Sequence, residues 1–153
     1  MTKCYQLVGV PGSGKSTWIK DQVWALGLTV VSTDHHVEVY AKEQGKTYSE
    51  VFTDYMPRAV ELMAAEVVEA RTAGRDIIWD QTSTTLASRA RKFNMLPDYW
   101  HVAVVFRTPK QEELARRLAS RPGKVIPINI VNSMCKNWEE PTLEEGFREI
   151  WYV

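Results

Sequence analysis

Cysteine is scarce in this sequence, and its scarcity argues against two classes of small protein. The two cysteines, Cys4 and Cys135, lie far apart along the chain and match no paired zinc-ligand spacing. A zinc module and a disulfide-stapled scaffold both need several cysteines at short intervals. The composition therefore favours a reduced protein of the cytosol.

An excess of one charge is also missing. Lysine plus arginine and aspartate plus glutamate each number 19, so the formal net charge is zero. The chain lacks the basic field that attracts nucleic acid without regard to sequence. Any polyanion must therefore be held by a local group of residues.

Long hydrophobic runs are absent. The first apolar run is short and is broken by Gly9, Pro11 and Gly12, which is typical of neither a signal peptide nor a membrane span. We therefore expect no membrane partner and a cytoplasmic location. The 153 residues are 44% hydrophobic and 25% charged, which predicts one globular domain over residues 1–153.

Apolar runs alternate with helical patterns along the chain. The runs at 5–10, 29–32, 76–79 and 101–106 predict strands, and helical patterns begin near residues 15, 35, 86, 109 and 127. The strands are apolar throughout, which is typical of a parallel sheet with helices on both faces. We expect an α/β fold with a central sheet of four or five strands and a ligand site at their carboxyl ends.

Two helices have apolar faces that the sequence defines in detail. The helix that begins near residue 35 is expected to break near Gly45 and to be interrupted at Pro57. Its later face should contain Val60, Met63, Ala64, Val67 and Ala70. The first helix should bury Trp18, Ile19, Gln22, Val23 and Leu26 and end at a left-handed Gly27.

Residues 9–16 carry the strongest chemical signal. They read Gly-Val-Pro-Gly-Ser-Gly-Lys-Ser and fit the pattern G-x-x-x-x-G-K-[ST] between a predicted strand and a predicted helix. In such a P-loop, backbone N–H groups surround a phosphate, Lys15 contacts the outer phosphates and Ser16 ligates Mg²⁺. The alternative is a glycine-rich turn with a solvent-facing lysine. The pattern predicts a nucleotide site formed by Gly12, Ser13, Gly14, Lys15, Ser16 and Thr17.

Two aspartates follow predicted strands on the same side of the sheet. Asp80 ends the third strand, where an acid can hold Mg²⁺ directly or through water, although it could also belong to a simple turn. Asp34 follows the second strand and can accept a proton from a substrate hydroxyl that attacks a γ-phosphate. Helix capping by Ser32, Thr33 or Asp34 is the competing interpretation.

Basic residues are concentrated between positions 107 and 124. Arg117 and Arg121 are four apart, so one helix face could present both guanidinium groups to the transferring phosphoryl group. A solvated helix face is the alternative, and Arg89 and Arg91 carry the same ambiguity. The segment of about residues 112–126, with a hinge at Pro122-Gly123, is predicted to form an arginine-bearing lid.

Further segments carry a family resemblance. Asp80-Gln81-Thr82 precedes Ala-Ser-Arg-Ala-Arg at 87–91, Ile-Pro at 126–127 and Ser-Met at 133–134. The segment at 138–147 reads Trp-Glu-Glu-Pro-Thr-Leu-Glu-Glu-Gly-Phe. With the P-loop, Asp34, Arg117 and Arg121, these segments resemble the kinase domain of polynucleotide 5′-hydroxyl kinases of the phage and animal kinase-phosphatase type.

The resemblance implies a function and a set of roles. A member of this family would transfer the γ-phosphate of ATP to the 5′-hydroxyl of DNA or RNA during end repair, with Mg²⁺ as cofactor. Lys15 and Ser16 would bind the phosphates and Mg²⁺, Asp34 would be the general base, and Asp80 would lie near the nucleotide. Arg121 would be the lid arginine.

One position departs from the resembled phage enzymes. They carry an arginine three residues after the base aspartate, where it holds the acceptor phosphate, and this sequence has Val37. The substitutes that the sequence offers are His36, Lys42, Lys46 and Arg58. No Asp-x-Asp phosphatase motif occurs, so we expect a kinase module without 3′-phosphatase activity.

Two other functions remain open. A P-loop kinase acting on a nucleoside or another small molecule would use the same catalytic residues with a closed acceptor pocket. A nucleotide-binding regulatory module would hydrolyse its nucleotide slowly, at a rate independent of any acceptor.

Overall fold

The computed structural model describes residues 1–22 and 27–153, which form a five-stranded sheet with helices on both faces. The strands are β1 (Lys3–Val8), β2 (Thr29–Val31), β3 (Ile77–Trp79), β4 (Trp100–Val105) and β5 (Glu149–Tyr152). The helices are α1 (Lys15–Asp21), α2 (Thr33–Glu43), α3 (Tyr48–Thr72), α4 (Leu86–Met95), α5 (Gln111–Ala119) and α6 (Ile128–Lys136). A short 3₁₀ turn covers Leu143–Glu145.

All neighbouring strands are parallel, in the order β2-β3-β1-β4-β5. The central strand β1 pairs with β3 from Cys4 opposite Ile77 and with β4 from Lys3 opposite Trp100. The carboxyl ends of the strands therefore lie at one edge. That edge carries the P-loop after β1, Ser32 after β2 and Asp80 after β3.

Each face of the sheet packs against different helices. Tyr5, Leu7 and Ile78 face one side, where Trp18 and Ile19 of α1 pack against them. This contact confirms two members of the predicted face of α1, while Val23 and Leu26 lie outside the described residues. On the other side the strand residues pack against α3 and the end of α4, in a cluster of Cys4, Val31, Ile77 and Trp79 with Met63, Val67, Ala70 and Leu96.

Helices α2 and α3 form a hairpin that differs from the prediction in two respects. Gly45 does separate them, with a φ of +63°. Pro57, however, lies inside the continuous helix α3. Val51 and Ala59 lie on either side of Pro57 and both pack against α2, so tertiary contacts hold the helix through a residue that costs about 3 kcal/mol in a helix interior. Val60 is 45% exposed, because the buried stripe passes through its neighbour Ala59 and continues through Met63.

Strand β5 has no counterpart among the four individually predicted strands, although a fifth strand falls within the expected range. Residues 149–152 form a parallel ladder with β4 at the edge of the sheet. Their side chains range from half-buried to exposed although Ile150, Trp151 and Tyr152 are apolar, because β5 is an edge strand that fewer elements cover.

Arg89 occupies neither of the environments that the sequence suggested. Its side chain is fully buried, and it forms a two-bond ion pair with Glu145, with Nε to Oε1 at 2.7 Å and Nη2 to Oε2 at 3.2 Å. Nη1 also donates to the carbonyl of Ser83 at 2.9 Å. Arg89 therefore joins α4 to the 3₁₀ turn, and its side chain has no exposure to solvent. Arg91, two residues later, is exposed.

Both cysteines are free thiols, and their environments are opposite. Cys4 is completely buried on β1, and burial raises the pKa of its thiol far above the ordinary value. Cys135 is exposed on α6. Within the two described ranges, no helix is long and apolar enough to cross a membrane.

Candidate active site

The P-loop links β1 to α1. At two of its positions the backbone has a left-handed conformation that glycine adopts far more readily than other residues. Gly12 and Gly14 have φ angles of +82° and +100°. A Cβ added at Gly9 would lie 2.5 Å from the Ser13 hydroxyl oxygen and 2.9 Å from Phe106 Cβ, so the loop also packs closely against the end of β4. Gly14 caps α1 without a side-chain hydrogen bond, which leaves the first-turn N–H groups to a ligand.

Lys15 lies within this loop. Its Nζ donates to the carbonyl oxygens of Gly9 and Val10 at 2.8 and 2.9 Å. Burial lowers the pKa of Lys15 to about 8, with the charge of Asp80 opposing the shift and that of Arg121 adding to it. The ammonium group is thus held at the P-loop by two backbone carbonyls and is partly removed from solvent.

Asp80 lies directly after β3, with its backbone N–H bonded to the carbonyl of Val31 at 2.8 Å. Burial raises the pKa of its carboxyl group, and the charge of Lys15 opposes that rise. Ser16 and Thr17 are exposed in the first turn of α1. The predicted nucleotide and metal residues therefore lie around one loop.

The site offers Mg²⁺ few protein ligands. Among the described residues, no group of three or more His, Cys, Asp or Glu side chains could hold a metal ion. Mg²⁺ usually keeps several water ligands and binds through one or two protein oxygens together with substrate phosphates. A hydroxyl from Ser16 and a carboxylate from Asp80 fit that pattern.

Asp34 lies in the first turn of α2, across the strand ends from the P-loop. The cap of this helix is Ser32, whose hydroxyl accepts a hydrogen bond from the N–H of His35 at 3.4 Å. The interpretation of Asp34 as the cap is therefore wrong. Tyr48 donates its hydroxyl to Oδ1 of Asp34 at 2.7 Å, and Lys124 donates its Nζ to Oδ2 at 3.2 Å. Both carboxylate oxygens are oriented by neighbours, and the side chain is 51% exposed.

Arg117 and Arg121 do not share one helix face, because α5 ends at Ala119. Arg117 binds Glu113 with Nε at 2.8 Å and the carbonyl of Gly12 with Nη1 at 3.1 Å, so it braces the P-loop from outside. Arg121 lies beyond the helix end, and its charge acts on both Lys15 and Tyr48. Arg117 therefore contacts the P-loop directly, whereas Arg121 acts on Lys15 through its charge.

Two of the four substitutes for the missing arginine have other contacts. Val37 is fully buried between α2 and α3, where it packs against Val51 and Ala59. His36 pairs with Glu66, and Arg58 pairs with Glu61 at 3.1 Å. Lys42 and Lys46 are exposed near the end of the hairpin.

Sequence reasoning missed Tyr48, Lys124 and Glu38. Tyr48 begins α3, and Lys124 belongs to the loop between α5 and α6 (residues 120–127, here the α5–α6 loop). The Nζ of Lys124 also lies 3.1 Å from Glu38 Oε1 and 4.4 Å from the centre of the Tyr48 ring. No motif signals these residues, since only the fold brings them to Asp34.

Comparison with known proteins places the chain in a family. The AAA domain model AAA_33 matches residues 5–141. The chain belongs to this AAA domain family. The match includes the P-loop, Asp34, Asp80, both arginines and the α5–α6 loop.

One curated relative agrees with the resemblance seen in the sequence. The bifunctional polynucleotide phosphatase/kinase of Schizosaccharomyces pombe is 27% identical over 149 residues, or 94% of this chain. The match spans only 31% of that protein's length. A polynucleotide kinase among the relatives confirms the family resemblance.

Solved structures show the same fold. A candidate kinase from Chloroflexus aurantiacus matches with a TM-score of 0.76 at 17% identity, over 99% of this chain and 87% of that one. A gluconokinase from Sinorhizobium meliloti 1021 has a TM-score of 0.60 at 18% identity, over 99% and 81%. A chain of the Pnkp1/Rnl/Hen1 complex has a TM-score of 0.56 at 25% identity, over 75% and 38%. The AAA domain described here therefore has the P-loop kinase fold.

Proposed function

We propose that the protein is an ATP-dependent polynucleotide 5′-hydroxyl kinase that acts in nucleic-acid end repair in the cytosol. The observation that carries this proposal is the position of Asp34. Its carboxylate is fixed by Tyr48 and Lys124, and its charge acts on Lys15 of the P-loop. A hydroxyl acceptor bound at Asp34 would thus lie beside a phosphate bound in the loop.

Four residues of the chain have distinct roles in the proposed phosphoryl transfer. Bound ATP with Mg²⁺ supplies the phosphoryl group and neutralises part of its charge. Asp34 accepts the proton of the acceptor hydroxyl while that oxygen forms its bond to the γ-phosphorus and the bond to the β-phosphate oxygen breaks, releasing ADP. Lys15 and Arg121 stabilise the charge on the transferring group, and Arg117 holds the loop through Gly12.

Ser16 and Asp80 are the residues that would hold Mg²⁺. Ser16 is exposed at the start of α1, and Asp80 lies close enough for its charge to act on Lys15. The remaining backbone contacts to the phosphates would come from residues 12–17, where Gly12 and Gly14 allow the loop to curl.

A polynucleotide acceptor is supported by the relatives and by the specific segments of the sequence. The curated relative is a polynucleotide phosphatase/kinase, and one structural neighbour belongs to a Pnkp1/Rnl/Hen1 complex. The buried pair of Arg89 and Glu145 gives two of the resembling segments a shared structural role, since each segment contributes one partner.

A second candidate function is favoured by one feature of the acceptor side. Glu38 lies beside Asp34 and shares Lys124 with it, which makes the surroundings of the base acidic. An uncharged hydroxyl compound would meet less repulsion there than a phosphate would. A small-molecule kinase is therefore the competing proposal.

The deciding experiment is transfer of labelled γ-phosphate onto a panel of acceptors. The panel contains 5′-hydroxyl DNA and RNA oligonucleotides, the corresponding nucleosides and 3′-nucleotides. Preference for oligonucleotides supports the proposal, whereas equal or better transfer to nucleosides replaces it with the small-molecule kinase. Release of phosphate at one rate with and without every acceptor would identify a regulatory nucleotidase.

A further inference from the structure

Lys124 is the cation on the acceptor side of Asp34. Its Nζ donates to Asp34 at 3.2 Å and to Glu38 at 3.1 Å, and its side chain is only 15% exposed. Asp34 and Glu38 are one helical turn apart on α2, so the ammonium group bridges two carboxylates on the same face. An ammonium group has three N–H donors, and these carboxylates use two of them.

The backbone places Lys124 independently of these ion pairs. The N–H of Ser49 donates to the carbonyl of Gly123 at 3.1 Å, and the N–H of Val125 donates to the Ser49 hydroxyl at 2.8 Å. Gly123 has a φ of +69°, and a Cβ added there would lie 3.0 Å from Thr47 Cβ. The α5–α6 loop is therefore fastened to the start of α3, on both sides of Lys124.

The two carboxylates leave the ammonium group of Lys124 one N–H donor for a further ligand. The ring of Tyr48 lies under the ammonium group, and a face of an aromatic ring favours a cation. Two of the four substitutes that the sequence offered for this role are engaged elsewhere, His36 with Glu66 and Arg58 with Glu61. Lys42 and Lys46 are exposed near the turn of the hairpin. Lys124 donates to Asp34, so an acceptor whose hydroxyl binds Asp34 would lie next to the ammonium group of Lys124.

We propose that Lys124 binds the acceptor phosphate next to the reacting 5′-hydroxyl and so determines the preference for a polynucleotide over a nucleoside. This inference rests on the proposed function. Lys124 comes from the predicted lid, so recognition of the acceptor and placement of Arg121, three residues earlier, depend on the same loop. In the free protein, Glu38 holds the ammonium group of Lys124 beside Asp34.

The test compares Lys124→Met with Lys136→Met, which removes an exposed lysine from the last turn of α6. Transfer to a 5′-hydroxyl oligonucleotide and to its 5′-terminal nucleoside is measured for both variants and the unaltered protein. We expect Lys124→Met to lower the oligonucleotide-to-nucleoside ratio of kcat/KM by about tenfold or more, because a hydrogen bond to a charged group is lost. The Lys136→Met ratio should equal that of the unaltered protein.

A binding measurement gives a second readout that does not depend on turnover. Fluorescence anisotropy of a labelled single-stranded 5′-hydroxyl oligonucleotide is recorded over a range of salt concentrations. Loss of one phosphate contact should reduce the slope of log K against log salt by about 0.7 in Lys124→Met. Lys124→Arg keeps the charge and should keep the slope. Lys124→Gln is measured in the same way if Lys124→Met does not fold.

Three results would overturn the inference. An unchanged ratio and slope in the folded Lys124→Met or Lys124→Gln variant would show that Lys124 contacts no acceptor phosphate. An equal loss of kcat on both acceptors, with KM unchanged, would make Lys124 a positioning residue for Asp34. If the unaltered protein itself does not prefer the oligonucleotide, the proposed function fails first and the inference fails with it.

Discussion

Lys15 carries a charge that depends on pH within the range in which enzymes are assayed. Burial lowers its pKa to about 8 in the free protein, so the ammonium group is present below that pH and is lost above it. Phosphate binding needs the charged form. We therefore predict that nucleotide affinity falls as pH rises through about 8, as measured by titration with a fluorescent ATP analogue between pH 6 and 10.

The matched variant for this prediction is Lys15→Met. It should bind the analogue weakly at every pH and show no decline near pH 8, because the titrating group is gone. An unaltered protein whose affinity stays constant across this range would contradict the assignment of Lys15 to the phosphates.

Asp34 allows a test that separates catalysis from helix capping. Asp34→Asn keeps an oxygen that can accept from Tyr48 but removes the carboxylate that we propose as the proton acceptor, so kcat should fall by roughly 10²–10⁴. Thermal stability should change little, because Ser32 caps α2. Ser32→Ala is the control, with stability lowered by about 1 kcal/mol and turnover retained. The proposal would be wrong if Asp34→Asn kept full turnover.

At the residue scale, the sequence predicted what is contiguous and missed what is distant. Residues 9–16 lie together in the chain, so their type and order predicted the loop that the fold contains. Tyr48 and Lys124 lie 14 and 90 positions from Asp34, and neither belongs to a motif. Only the α2–α3 hairpin and the α5–α6 loop bring them to the carboxylate.

Helix α4 depends on a buried ion pair, and this gives a prediction at the scale of elements. Arg89→Met would leave Glu145 buried and unpaired, so the free energy of unfolding should fall by roughly 3–5 kcal/mol. Urea denaturation followed by circular dichroism measures the change. Arg91→Met on the same helix is the control and should change stability by less than about 0.5 kcal/mol.

The opposite result would restore a role in phosphate binding to Arg89. In that case Arg89→Met would unfold at the same urea concentration as the unaltered protein and yet lose phosphoryl transfer. Normal stability with normal transfer would show that the ion pair contributes nothing measurable.

The elements that the sequence predicted well are those with clear boundaries. The predicted helix from Leu86 to Met95 coincides with α4, whose first turn has a capping box between Thr85 and Ser88. One local rule failed because tertiary contacts outweighed it, since Pro57 is held inside α3 by packing on both sides. The apolar residues at 150–152 are too few to predict a strand by themselves, and they form one because β4 supplies a ladder for them.

The whole molecule carries no net charge, and this limits how strongly it can bind nucleic acid. Few phosphate contacts are available without a basic surface, so oligonucleotide affinity should decline only shallowly with salt. Each phosphate contact adds about 0.7 to the slope for a single strand, and we predict a slope corresponding to a few contacts. Binding titrations between low and physiological salt measure it.

A steep slope would contradict this prediction. Lys42→Glu gives a local control on α2. If the turn of the α2–α3 hairpin borders the acceptor, Lys42→Glu should weaken oligonucleotide binding without changing ATP affinity. If the turn lies away from the acceptor, oligonucleotide binding and ATP affinity should both stay the same.

The difference in exposure between the two cysteines allows a fluorescent label to be attached at one site. A maleimide dye should attach to Cys135 alone in the native state, because Cys4 is sealed inside the sheet and its thiol is hard to ionise. Cys135 lies in the last turn of α6, the helix that follows the loop carrying Arg121 and Lys124. A second dye introduced on α2 would then turn the separation between loop and hairpin into an energy-transfer signal that can be followed during a catalytic cycle.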